Sequence, residues 1–280
     1  MPKAAFTLLI LFLAIQSSFV QAQTENFKKG MEAVQNNRYH EAMISFTKVV
    51  EDEKYEVSGK DLSLAHAYLA VIRTAYLEKD LLNTKFENIV MKQGQIAQTI
   101  AEMVRAIKFQ DKNTISLIDE SKQKLVSVSI KAMRVLGDSL MSFDTEKPNE
   151  TTDYIASFAL KQFGELENID VDNWEVHDIL GLSHFFLNEK ERSMQEFSKA
   201  RDQFNTLTEP PVSYLHLRNF ILSSEYNYEN VKDKKLTKKI CEEGSKYTSY
   251  IIDHVSDDNI KEILELNKIE NKLRQYINKL

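Results

Sequence analysis

The stretch GMEAVQNNRYHEAMISF, residues Gly30 to Phe46, decides the fold class. Apolar residues recur three and four positions apart before the Asn36-Asn37 pair, and a second stripe with the same spacing follows it. Such spacing is typical of one face of an α-helix, and paired asparagines are typical of a turn. The stretch therefore predicts a helical hairpin in which Gly30 and Ala42 lie where the two helices touch and Phe46 fills the space beside them.

A second copy of this pattern occurs far downstream as GLSHFFLNEKERSMQEF, residues Gly181 to Phe197. In both copies the phenylalanine follows the glycine by sixteen positions. The turn asparagine recurs as Asn188, and a small residue of the second helix recurs as Ser193. The chain therefore uses the same hairpin at least twice.

The two copies resemble the tetratricopeptide repeat (TPR), a helix–turn–helix unit of about 34 residues. The family's small and aromatic positions fall on Gly30, Ala42, Phe46 and Val49, and on Leu180, Gly181, Ser193, Phe197 and Ala200. The resemblance covers about 30 residues in each copy. It implies an all-α fold in which TPR-like hairpins stack into an α-solenoid, with long irregular helices between the two clear repeats.

The remaining sequence suggests how the domains are arranged. With 7 glycines and 4 prolines in 280 residues, the chain favours helices joined by short loops. The polar segment DTEKPNETTD, 144–153, is predicted to link an N-terminal helical region, 23–143, to a C-terminal one, 154–280. The last helix, about 259–279, has one wide apolar face, which suits a cap that closes a solenoid. A helix lying on a membrane surface would show a similar pattern.

The first residues predict export. A short basic start with Lys3 precedes an apolar core, Ala4 to Ile15, that is too short for a mature bilayer span of about 20 residues. Val20-Gln21-Ala22 fits a signal-peptidase site, so residues 1–22 are interpreted as a secretory signal peptide and the protein as periplasmic or extracellular. The alternative is an uncleaved N-terminal anchor. We expect the mature chain not to span a membrane.

The sequence offers no catalytic signature. His177 and His184 are seven residues apart, which is a poor spacing for a metal site, so both are interpreted as packing residues. Cys241, the only cysteine, is followed by two glutamates that disfavour a thiolate, and it is also interpreted as a packing residue. A formal charge of −6 argues against nucleic-acid binding. We therefore expect no enzyme activity, no metal and no cofactor.

The resemblance implies a concave groove lined by the first helix of each hairpin, with a protein or peptide as the partner. The residues matching those positions are mostly apolar, which suits an amphipathic helix or a hydrophobic peptide. The alternative is a small-molecule or glycan receptor that uses tyrosines of the last third as platforms, namely Tyr214, Tyr226, Tyr228, Tyr247 and Tyr250. The predicted groove residues are Phe27, Met31, Val34, Gln35, Asp178, Leu182, Phe185 and Phe186.

Overall fold

The computed structural model describes residues 25–51, 59–81, 85–169, 173–231, 233–256 and 259–280. The predicted signal peptide, 1–22, lies outside the described residues. Within them the secondary structure is entirely helical, which confirms the all-α prediction. No helix in this part of the chain combines the length and apolarity that crossing a bilayer requires.

Twelve α-helices are found in the described residues. The first six are α1 (Glu25–Gln35), α2 (Tyr39–Glu51), α3 (Gly59–Asp80), α4 (Phe86–Met91), α5 (Gln93–Lys108) and α6 (Ile115–Met141). The other six are α7 (Glu150–Phe163), α8 (Trp174–Phe186), α9 (Lys190–Phe204), α10 (Tyr214–Tyr226), α11 (Lys234–His254) and α12 (Ile260–Lys279). A 3₁₀ helix, Gly164–Ile169, follows α7, and a π-helical turn, Asn227–Val231, follows α10.

The chain divides into two compact units. The first comprises the described residues of Met1–Ala132 and Glu165–Val171, and the second those of Met133–Gly164 and Asp172–Leu280. The division falls within α6, so the predicted linker 144–153 belongs to the second unit. Part of this segment forms the start of α7, because the Asn149 side chain accepts hydrogen bonds from the backbone of Thr151 and Thr152 and caps the helix.

Both predicted hairpins form, as α1–α2 and α8–α9. A Cβ atom placed on Gly30 would lie 2.7 Å from the Phe46 ring, and one on Gly181 would lie 2.5 Å from the Phe197 ring. The predicted glycine–phenylalanine contact is therefore confirmed in both copies. Only the absence of a side chain lets the rings reach this far into the neighbouring helix.

Each hairpin turn contains an asparagine in the left-handed backbone region. Asn37 has φ 56° and Asn188 has φ 61°, and they are the only non-glycine residues with positive φ in the described residues. Asparagine tolerates this conformation better than most residues. The turn asparagine shared by the two sequence copies thus has the same backbone role in both hairpins.

In the first unit, α3 packs against both α2 and α5. Its side chains are buried on every face from Leu64 to Ile72, and Tyr68 stacks on Phe46 with ring centroids 5.4 Å apart. Such all-round burial is what a helix at the centre of a bundle shows.

In the second unit, α8 is the central helix, since α7, α9 and α10 all pack against it. The chain ends with the hairpin α11–α12, which packs on α10. A core cluster beneath this hairpin contains Phe204, Leu217, Phe220, Ile240, Tyr247, Ile251 and Leu266.

Candidate functional site

The structure places the predicted groove residues of the first hairpin on different faces of α1. Phe27 is 1% exposed and Val34 is also buried, whereas Met31 is half-buried and Gln35 is exposed. Phe27 packs edge-on against Phe46, with ring centroids 5.9 Å apart. The expectation that Phe27 and Val34 line an open groove is therefore wrong, because both belong to the core of the hairpin.

The predicted groove residues of the second hairpin are mostly buried as well. Asp178, Leu182 and Phe186 are buried, and Phe185 is half-buried with the Lys190 ammonium 3.1 Å from its ring centroid. The expected exposure of Leu182 and Phe186 is wrong, because helices cover α8 on several sides. The spacing of the sequence predicts which face of α8 meets the other helix of the hairpin. It does not predict how much of the remaining surface of α8 other helices cover.

Asp178 belongs to a buried polar network of the second unit. Its carboxylate oxygens lie 2.7 Å from His216 Nδ1 and 2.7 Å from the Asn219 side-chain amide, which donates to it. Arg201 donates to Asn219 Oδ1 and, at 2.6 Å, to Ser223 Oγ. These side chains come from α8, α9 and α10, so the network joins three helices in a region that solvent does not reach. We interpret Asp178 as structural.

The tyrosines considered for a glycan platform are largely engaged in contacts within the chain. Tyr247 donates to the Pro211 carbonyl, Tyr250 to the Pro210 carbonyl, and Tyr226 to the Glu191 carboxylate. Tyr228 packs against Tyr276 with ring centroids 5.0 Å apart. Of these five tyrosines, Tyr214 lines a cavity.

A different groove exists in the first unit, with a volume of about 760 Å³. Its floor is one face of α3, where residues follow at helical spacing: Leu62, His66, Leu69 and Arg73. One wall is the end of α2, with Thr47, Val50 and Glu51. The other wall is α5 and the residue after it, with Gln98, Ala101, Glu102, Arg105, Lys108 and Phe109.

A buried pair fixes the floor of this groove to its α5 wall. His66 Nδ1 lies 2.6 Å from Glu102 Oε1, and both side chains are buried. The other Glu102 oxygen accepts a hydrogen bond from Arg105 at 3.3 Å. The Phe109 ring stacks on the His66 ring with centroids 5.1 Å apart and a 6° interplanar angle. These contacts hold α3, α5 and Phe109 in one arrangement.

Arg73 contributes a guanidinium group to the groove floor, and not all of its hydrogen-bond donors have partners within the part of the chain that the structure describes. Its Nη1 donates to Gln98 Oε1 at 3.1 Å, while its buried Nε has no hydrogen-bond partner in the described residues. An unpaired buried donor is unfavourable unless a ligand satisfies it. Because this nitrogen is shielded from solvent, the guanidinium contributes its charge to the groove and not this donor.

The charged residues of the groove carry a positive excess, although the chain as a whole is acidic. Arg73, Arg105 and Lys108 are cationic, whereas Glu51 and Glu102 are anionic, and Glu102 is already held by His66 and Arg105. The groove also presents Phe109, which is 39% exposed. An acceptor-bearing or anionic group next to an apolar one would complement this lining.

Sequence reasoning missed this groove. The partners His66 and Glu102 are 36 residues apart, and no motif links them. One signal was available: residues 98, 101, 105 and 108 fall on the face of α5 opposite the buried Ile96, Ile100 and Met103. Which element that polar face would meet depends on the tertiary fold.

The Glu196 carboxyl of the second unit has a perturbed pKa. Burial tends to raise the pKa of its carboxyl, but hydrogen bonds from His177 and Lys199 outweigh burial and lower the pKa to about 2. His177 Nδ1 lies 2.7 Å from Glu196 Oε2. This hydrogen-bonded pair joins α8 to α9.

Cys241 is buried in α11. Burial raises the pKa of its thiol, and the neighbouring Glu242 carboxylate adds to that rise. Both effects favour the unreactive thiol form, in agreement with the interpretation of a packing cysteine.

Comparison with protein-family models and with curated proteins finds no match for this chain.

Proposed function

We propose that this protein is an exported helical-repeat scaffold that binds a peptide segment of a partner protein. The TPR-like part of the proposal rests on two hairpins with the same glycine–phenylalanine contact and the same left-handed asparagine in the turn. Export rests on the apolar start of the chain. N-terminal sequencing of the secreted protein should begin at Gln23, whereas a chain that starts at Met1 would contradict export by cleavage.

The observation that carries the binding proposal is the groove of the first unit. It has a continuous floor on α3 and walls on α2 and α5, and a volume of about 760 Å³. A groove of this form accommodates a helix or an extended segment whose side chains enter it in turn. The His66–Glu102 pair and the Phe109 stack hold its walls in place before any ligand arrives, which reduces the ordering cost of binding.

The lining favours a peptide with both acidic and apolar side chains. Arg73 and Lys108 would pair with carboxylates, and Phe109 with Val50 would contact an apolar side chain. Aromatic and arginine residues are the types that contribute most to binding when buried at an interface. The sequence instead predicts a partly apolar groove lined by residues of α1 and α8.

Site-specific photo-crosslinking in the native cells tests the proposal. A photoreactive side chain at Gln98, on the α5 wall, should give a discrete adduct with a protein partner. The same side chain at Gln123, which is exposed on α6 and does not line the groove, serves as the matched control. The adduct at position 98 should also disappear when Lys108 is changed to Glu. Equal adducts at both positions, or an adduct that survives Lys108→Glu, would contradict the groove assignment.

A further inference from the structure

The second unit has a cavity of its own, with a volume of about 500 Å³. The end of α6, the start of α8 and the segment that leads into α10 form its walls. Ile179 and Leu215 contribute apolar surface, and the Trp174 side chain lines the cavity beside them. Tyr214 also lines it and is 41% exposed. The cavity thus combines two aromatic side chains with an opening to solvent.

The walls of this cavity are fixed by contacts from the core. Tyr247 Oη donates to the Pro211 carbonyl and accepts from the Ser213 amide, both at 2.8 Å. Trp174 is held edge-on against Phe204 and His216, with centroid distances of 4.9 and 5.5 Å. A ligand would therefore meet a largely preformed site, as is usual for small-molecule pockets.

Within the described residues, three charged side chains line the cavity, one cationic and two anionic: Arg134, Asp138 and Glu175. Arg134 donates two hydrogen bonds to Glu175, at 2.6 and 2.7 Å, so these two charges neutralise each other. Asp138 lies one helical turn after Arg134 and is exposed, and its carboxylate adds to the attraction that Glu175 exerts on the same guanidinium. The three charged side chains of the cavity sum to one negative charge, which attracts a cation.

We propose that this cavity binds an alkylammonium or guanidinium group. The Asp138 carboxylate would pair with the cation, and Trp174 and Tyr214 would contribute cation–π attraction, which is strongest for tryptophan. The group could be a lysine or arginine side chain of a peptide, or a free polyamine, since both present the same chemistry. This proposal does not depend on the binding of an acidic peptide in the groove of the first unit.

Trp174 makes the proposal directly measurable, because it is the only tryptophan of the chain. Its emission would be titrated with N-acetylarginine amide, N-acetyllysine amide and spermidine, and with N-acetylcitrulline amide as the neutral counterpart of arginine. We expect a saturable change in tryptophan emission with the cationic probes. The citrulline compound should bind at least roughly tenfold more weakly than N-acetylarginine amide. If spermidine binds more tightly than both amino-acid amides, the natural ligand is a free polyamine. If an amino-acid amide binds more tightly than spermidine, the natural ligand is a peptide side chain.

Asp138→Asn should weaken the binding of N-acetylarginine amide roughly tenfold. The matched control is Asp253→Asn, an exposed aspartate of α11 that does not line the cavity, and it should bind like the wild type. Because Asp138 is exposed, the melting temperature of its variant should stay close to that of the wild type. The absence of a saturable change, equal binding of the citrulline compound, or unchanged affinity in Asp138→Asn would each overturn the proposal.

Discussion

At the scale of single residues, two glycines determine how the hairpins close. Gly30 lies against the buried Phe46 ring and Gly181 against the buried Phe197 ring, at distances that leave no room for a side chain. Rings in a packed core do not yield easily, since their own neighbours hold them. A glycine at these positions is therefore a packing requirement, although glycine lowers helix propensity.

Gly30→Leu and Gly181→Leu should each lower the free energy of unfolding by about 1–3 kcal/mol, because the new side chain overpacks the hairpin. Gly94→Leu is the matched control, since a Cβ at this exposed helical position meets nothing within 4 Å. The control should be neutral or gain up to about 1 kcal/mol from helix propensity. Thermal and denaturant melts give the comparison, and a raised midpoint in either of the first two variants would contradict the hairpin register.

The Glu196 carboxylate should make the stability of the second unit depend on pH. Its pKa in the folded protein is about 2, below the usual 4.5, so folding favours the ionised form. The stabilisation is fully present above about pH 4.5 and is lost as the pH falls towards 2. Glu196→Gln should lower the free energy of unfolding near neutral pH by about 3 kcal/mol, since it breaks a buried pair.

The difference in the free energy of unfolding between Glu196→Gln and the wild type should narrow as the pH falls from about 4.5 towards 2. Over this range the wild type also loses its ionised carboxylate. Denaturant melts from neutral to acidic pH measure this difference. A gap that stays constant with pH would show that the ionised pair does not contribute to stability.

At the scale of the helices, α12 packs along α11 and also contacts α10. The α12 helix begins after Asn259, which accepts a hydrogen bond from the Glu262 backbone, and it buries Leu266 and Leu273. A Cβ on Gly244 of α11 would lie 3.1 Å from Leu273, so the two helices approach closely at this point. Of the apolar face that also suits a membrane surface, Leu266 and Leu273 are buried against the protein, and Ile263 and Ile269 are half-buried.

Leu273→Asp should therefore lower the melting temperature strongly and promote self-association, because it places an unpaired charge in a buried site. The same change at Leu264, which is 56% exposed on the same helix, should leave the melting temperature nearly unchanged. Liposome flotation of both variants completes the test. If Leu273→Asp melted like the wild type and lost liposome binding, α12 would be a membrane-surface helix.

The sequence predicts the helical hairpins, but it does not predict which other parts of the protein pack against them. Local spacing predicted both hairpins and their glycine contacts, since these depend on residues within one repeat. It could not predict that Phe27, Leu182 and Phe186 would be buried, because their exposure depends on surfaces beyond the predicted helix–helix contact. For the same reason it missed the His66–Glu102 pair, whose members are brought together by the packing of α3 on α5.

At the scale of the whole molecule, each of the two units has a cavity with its own chemistry. The groove of the first unit has an excess of cations, and the cavity of the second has an excess of one carboxylate. The formal charge of −6 does not reveal this difference, because a net charge averages over both units. We propose that the two cavities are separate binding surfaces, of which the groove carries the proposed function.

The measurement that tests this account most directly is the affinity of a selected peptide for groove variants. Peptides enriched from a displayed random library on the mature protein would be synthesised, and their Kd measured by fluorescence anisotropy. We expect enriched sequences to combine acidic and apolar residues, and Lys108→Gln with Phe109→Ala to weaken binding by a factor of about 30 or more, which corresponds to about 2 kcal/mol. The matched control, Lys131→Gln on α6, should bind like the wild type, since Lys131 is exposed and does not line the groove. Enriched peptides without acidic residues, or a Kd that the groove variants do not change, would contradict the account.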